Sequence, residues 1–224
     1  MRLRHFHNIK GVFFDLDGTL FDTAPELIIA VQKMFQELNL PPVSAEIIKS
    51  FIGKGAENLV RKSIEQASPK DGHQFFTLGL DLFYQFYDEL VDQSIPFEGA
   101  EKALSDLSLK GLKLACVTNK PKQFTDKILK KHEMHKFLHF VISGDEVERK
   151  KPDPLSIQLT CNALCIRADE SIMVGDSFND IEAGYNAGSY VVTVPYGYQS
   201  GQSIDCPKVD LAVKKLTDLV TAIN

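Results

Sequence analysis

Six short, nearly uninterrupted apolar runs limit what this chain can fold into. They are residues 11–15 (GVFFD), 112–118 (LKLACVT), 140–143 (FVIS), 171–175 (SIMVG), 190–194 (YVVTV) and 209–213 (VDLAV). Each has the length of a strand, and most leave no polar face to meet water. That pattern belongs to parallel strands covered on both sides, not to the alternating strands of a sheet with one wet face. Helical stretches with clear start signals lie between the runs. Pro121 opens 122–132, Asp153-Pro154 opens 155–164, and Asn179-Asp180 leads into 181–187, which stops before Gly188. Strands alternating with helices predict an α/β fold, a doubly wound, Rossmann-like parallel sheet.

The alternation fails once. From about Asp22 to Ile95 only helical patterns occur. Residues 25–38 are apolar at Leu27, Ile28, Val31, Phe35 and Leu38, a helical stripe. Shorter pieces follow at 45–51, 56–67 and 75–91, with turns at Pro41-Pro42 and at 69–72 (PKDG). The expectation is an α/β core from residues 1–21 and 96–224, with an all-helical cap domain, 22–95, inserted after the first strand. Hydrophobic residues make up 44% of the 224, enough to bury a real core. Against 30 acidic side chains stand 25 Lys and Arg, a net charge of −5, so no nucleic-acid partner is expected. The opening MRLRHFHNIK has no apolar run of the signal-peptide kind, and nowhere do ~18 apolar residues run together. Four scattered cysteines suit a reducing compartment. A cytoplasmic protein with no membrane span is the expectation; nothing in the sequence sets its oligomeric state.

In an open α/β sheet, ligands bind beyond the carboxyl ends of the strands. The first run ends in Asp15-Leu16-Asp17-Gly18-Thr19, the second in Thr118-Asn119-Lys120, and the fourth in Gly175-Asp176-Ser177, with Asp180 one turn on; Arg149-Lys150-Lys151-Pro152 follows the third. So many carboxylates on one rim repel each other unless a cation sits among them. Oxygen donors without paired Cys or His point to Mg²⁺, which prefers one or two carboxylates plus water and a phosphate oxygen. The expected ligands are Asp15, Asp176 and the carbonyl of Asp17, with Asp180 one layer back, orienting Lys151 or a metal-bound water. Phosphoryl transfer needs an in-line nucleophile, neutralised equatorial oxygens and a proton donor for the leaving group. Asp15, ionised at neutral pH, is the candidate nucleophile and would form an acyl phosphate. Asp17, two residues on and leaving by the same face of an extended chain, would protonate the leaving alcohol and then deprotonate water. Thr118 and Lys151 would hold the phosphoryl oxygens, helped by backbone N–H groups around Leu16 and Asn119.

With DLDGTL at the first strand, VTN at the second, KP after the third and GDSFND at the fourth, the chain resembles the haloacid dehalogenase-like superfamily of phosphatases. The four motifs stand in family order and span essentially the whole chain. Within the superfamily it looks most like the phosphoglycolate phosphatases, through GTLFDTAPEL, FIGKGAENLV, VTNKP, KKPDPL and YGYQSG. The resemblance implies an aspartyl-phosphate mechanism, dependence on Mg²⁺, a helical cap closing over a small phosphorylated metabolite, and 2-phosphoglycolate as the substrate. It also favours Lys151 over its neighbour Lys150. Another small ester, such as a sugar or amino-sugar phosphate, and a β-phosphoglucomutase-like phosphomutase reaction are the alternatives, because cap loops rather than core motifs choose the leaving group. Family dehalogenases lack the second aspartate that this chain keeps as Asp17.

Plainer readings compete at several positions. Asp15-x-Asp17 with Glu26 mimics a calcium loop, but Leu20 stands where that loop needs glycine. Gly53-Lys54-Gly55 is either a turn between helices or a cap loop reaching the site, where Lys54 and the helix start near Ala56 would greet a substrate carboxylate. Cys161 with Cys165, and His132, His135 and His139, complete no zinc set and read as buried thiols and surface imidazoles. Tyr196 and Tyr198 would border the pocket or pack a loop.

Overall fold

The strand β1 (Gly11–Phe14) runs through the middle of a six-stranded sheet in the computed structural model, which describes residues 6–70, 72–198 and 206–223. Residues 1–5, Asp71 of the 69–72 turn and residues 199–201 of the YGYQSG segment lie outside these ranges. To one side of β1 stand β4 (Lys113–Val117) and then β5 (Phe140–Ile142). To the other stand β6 (Ser171–Gly175), β7 (Tyr190–Thr193) and β8 (Leu211–Ala212). Every neighbouring pair is parallel, and Gly11 lies between Lys113 and Ser171 in register. All six strand expectations therefore hold. Because the chain builds outward from β1 in one direction and then the other, β1 and its two neighbours form the switch point where such sheets bind ligands.

The apolar runs have no wet face because both faces are covered. Val12, Phe14, Leu114, Cys116, Ile172 and Val174 join one apolar cluster, with Leu104 of α5 (Ala100–Leu109), Phe124 of α6 (Lys122–Lys131) and Leu219 of α9 (Leu216–Ala222). The alternate residues Phe13, Ala115, Val117 and Met173 meet Ile157 of α7 (Leu155–Leu164) and Ala183 of α8 (Phe178–Ala187) on the other face. The period of two along each strand thus sorts side chains into two cores.

Between β2 (Phe21–Asp22) and β3 (Ile95–Pro96) come α1 (Ala24–Glu37), α2 (Ala45–Ser50), α3 (Ala56–Ala67) and α4 (Phe76–Leu90). Their apolar stripes belong to the same cluster as the first face of the sheet, through Met34, Val60, Phe83 and Tyr87. Tyr87 meets Phe124 edge-on, with ring centres 4.7 Å apart. Four differences from the sequence reading have local causes. β2 and β3 pair antiparallel, Phe21 with Pro96 and Asp22 with Ile95, where the chain enters and leaves the helices; two residues each are too short to read as strands. The helix expected at 181 begins at Phe178, because Ser177 caps it: its hydroxyl and N–H both donate to Asp180 Oδ2, at 2.6 and 3.1 Å. Helices α5 and α9 were not anticipated. Cys165 is exposed, not buried, and ends α7 in a left-handed conformation with φ 55°.

This packing makes Leu114, wholly buried between sheet and helices, sensitive to truncation. Leu114→Ala should lower unfolding free energy in urea by about 2–5 kcal/mol. The same change at the exposed Leu109 should stay within about 0.5 kcal/mol, and equal effects at both would contradict this core.

Candidate active site

Asp15, Thr118 and Asp176 are each the first residue beyond one of three adjacent strands, β1, β4 and β6. Sheet order alone therefore gathers residues more than a hundred positions apart. Lys151 arrives from the loop after β5. Its Nζ donates to Asp180 Oδ1 (2.6 Å) and the Val117 carbonyl (2.6 Å), and it lies 3.0 Å from Asp15 Oδ1. The Leu16 N–H donates to the same Asp15 oxygen at 2.8 Å. Asn119 fixes the backbone that carries Lys151: its Nδ2 donates to the Lys151 carbonyl (2.9 Å) and its Oδ1 accepts the Lys151 N–H (2.9 Å). A second Nδ2 bond reaches the Gly53 carbonyl at 3.0 Å, and Asn179 also donates there, at 3.2 Å. The side chain of Asn119, whose backbone N–H is the part expected near the phosphate, thus holds a lysine and the loop before α3. Thr118 Oγ1 accepts the Lys120 N–H at 3.2 Å, which leaves its own hydrogen free to donate.

Two glycines make room for this packing. A Cβ on Gly175 would stand 2.2 Å from Asp180 Cγ, so any side chain there would push Asp180 off Lys151. Gly18 has φ +85° and would meet Asp176 Oδ2 at 2.6 Å. Both the left-handed backbone and the close approach require glycine.

Carboxylate oxygens of Asp15, Asp176 and Asp180 come within 4.8 Å of one another, all buried. Burial, the Asp180 charge and the Asp17 charge push the Asp15 carboxyl up to about 7, although Lys151 opposes them. Asp176 is pushed up to about 8 by burial and then by Asp180 and Asp15, against the N–H of Tyr198 that donates to its Oδ2 at 2.7 Å. Burial works against the Lys151 ammonium, yet Asp15 and Asp180 outweigh it and raise its pKa. Three buried carboxylates against one ammonium leave excess negative charge, and the donors are all hard oxygens. The residues fit a divalent cation.

The Asp17 carboxylate stands apart from that trio. Its Oδ1 accepts the Thr23 hydroxyl (2.7 Å) and pairs with Lys120 Nζ (2.9 Å). Asp180 joins the trio, but its oxygens are engaged by Lys151 and Ser177. Of the cap loop, Gly53 and Gly55 line a cavity that Asp17 also borders, while Lys54 between them is exposed. The ammonium at this cavity belongs to Lys120, which sequence reasoning passed over although it adjoins VTN. Tyr198 ties the site to α1: its hydroxyl accepts the Ala24 N–H (2.9 Å) and donates to Asp22 Oδ1 (3.0 Å). The Tyr196 hydroxyl donates to the Thr19 carbonyl at 3.0 Å.

A family model described as haloacid dehalogenase-like hydrolase matches residues 12–194. A phosphoglycolate phosphatase of Nitrosospira multiformis is 37% identical over 219 residues, covering 95% of this chain and 96% of that protein. Its Escherichia coli K12 counterpart by name is 34% identical over 240 residues, covering 99% and 95%. Among solved structures, that of a predicted phosphoglycolate phosphatase from Haemophilus somnus superimposes with a TM-score of 0.90 at 28% identity, covering 96% of this chain and 97% of that one.

The raised carboxyls give a pH dependence with a definite sign. From the ordinary value of 3.8 up to about 7 for Asp15 and about 8 for Asp176, the metal-free folded state holds protons that the unfolded chain has released. The stability contributed by these groups is therefore full below that window and is lost as pH rises through it. Divalent cations need the ionised form and act in the opposite sense. Thermal unfolding from about pH 5 to about pH 8.5 should show a cation-induced rise in melting temperature that grows with pH. A rise independent of pH would contradict Asp15 and Asp176 as the binding carboxylates.

Proposed function

The chain belongs to the haloacid dehalogenase-like hydrolase family, and from that premise we propose that it is a phosphatase hydrolysing 2-phosphoglycolate to glycolate and inorganic phosphate with the help of Mg²⁺. The observation that carries the chemistry is the Asp15–Lys151 contact of 3.0 Å beside a buried Asp176. The substrate follows from the relatives, which are phosphoglycolate phosphatases by name.

Asp15 acts as the nucleophile. Lys151 and the Leu16 N–H hold its Oδ1, so the side chain cannot rotate away and its other oxygen is presented to phosphorus. As the Asp15–phosphorus bond forms and the ester bond breaks, Asp17 gives its proton to the departing alkoxide. It then takes a proton from water as that water attacks phosphorus and restores the Asp15 carboxylate. Lys120 and Thr23, bonded to Asp17 Oδ1, fix where that proton is handed over. Thr118 and Lys151 donate to the phosphoryl oxygens. Asp15, Asp176 and the Asp17 carbonyl would hold Mg²⁺, which when bound neutralises phosphoryl charge. Asp180 keeps Lys151 in place rather than touching substrate. The helices between β2 and β3 serve as the cap, and the sheet with its covering helices as the catalytic core.

Purified protein should release phosphate from 2-phosphoglycolate with Mg²⁺ and lose that activity in chelator. Asp15→Asn should keep the fold and abolish turnover, and Asp17→Asn should slow it by about 10²–10⁴-fold. Turnover of other esters with none of 2-phosphoglycolate would refute the substrate, and wild-type rates in Asp15→Asn would refute the nucleophile.

A further inference from the structure

Asp17 and Lys120 together border a narrow cavity of about 20 Å³, scarcely more than one water-sized group needs. Its other walls are largely carbon, from Leu59 of α3, Phe83 of α4 and Phe124 of α6. Lys120 is 3% exposed, and two contacts fix its ammonium: the Asp17 carboxylate at 2.9 Å and the ring of Tyr87, whose centre lies 4.6 Å away. Tyr87 belongs to the helices and Lys120 to the loop after β4, so this cation is set where the two parts meet. A cation buried this far over a ring face is held in a fixed place, where an anion can meet it.

We infer that Lys120 is the specificity-determining residue of this site and binds the carboxylate of a short acidic leaving group; the inference rests on the phosphatase reading above. The reach decides the size of that group. Asp17 must touch the ester oxygen to protonate it, and Lys120 stands one hydrogen bond from Asp17. A carboxylate carbon two bonds from the ester oxygen comes within the ammonium's range, whereas each added methylene carries it past Lys120 toward the carbon walls. Those walls also disfavour a sugar, whose hydroxyls would be buried without partners. Lys54, the cation that the sequence suggested for this task, is exposed.

The test compares kcat/KM for 2-phosphoglycolate and for 2-hydroxyethyl phosphate, which replaces the carboxylate by an alcohol. Wild-type protein should prefer the acid by at least about 100-fold, Lys120→Met should reduce that preference below about tenfold, and Lys120→Arg should restore part of it. If Lys120→Met slows both esters equally and keeps the preference, Lys120 serves Asp17 alone and the inference fails while the phosphatase reading stands. Wild-type protein inactive on 2-phosphoglycolate overturns both. Should Lys120→Met not fold, the wild type decides. Moving the carboxylate one methylene farther, in 3-phosphonooxypropanoate, should cost at least about tenfold, and equal rates would overturn the inference.

Discussion

A single buried ammonium organises this molecule. Lys151 Nζ is in contact with the Asp15 and Asp180 carboxylates and the Val117 carbonyl, and those groups come from β1, α8 and β4. An isolated ammonium at that depth would be prohibitively costly, and three neighbouring carboxylates without it would be equally so. Each makes the other tolerable, and the balance is deliberately incomplete. Burial first, and then the remaining negative charge, keep Asp15 and Asp176 reluctant to ionise, a state that a divalent cation would reverse. The same groups therefore stabilise the rim of the sheet and create its appetite for metal.

Asn119 and Tyr198 carry this arrangement into the rest of the fold. Asn119 grips both the backbone of Lys151 and the carbonyl of Gly53, so the loop before α3 and this lysine are positioned by one side chain. Tyr198 does the same between Asp176 and the start of α1. The helices between β2 and β3 and the rim of the sheet are thus joined by hydrogen bonds at the site itself, in addition to their shared apolar cluster.

Much of this was legible in the sequence, for a physical reason. Asp15, Thr118 and Asp176 could be found because each sits immediately after a recognisable apolar strand, and parallel topology forces such positions onto one rim. The four helices between β2 and β3 announced themselves by stripe and turn. What escaped depends on contacts between distant segments or on very short ones. The two-residue strands β2 and β3 carry too little pattern. The pairing of Lys120 with Asp17, under the ring of Tyr87, joins three segments that no spacing relates. Lys54, beside two glycines, advertised itself locally, but only the folded chain shows it exposed. Asp180 looked like a helix-start residue and a lysine partner, and it is both.

The phosphoryl group must pass through Asp15 if this chemistry is right. Protein quenched in acid during turnover of 2-phosphoglycolate, reduced with borohydride and digested for mass spectrometry, should carry homoserine in place of Asp15, the product of reducing an aspartyl phosphate. Steady turnover with residue 15 unreduced, or with the reduced aspartate at another position, would contradict it.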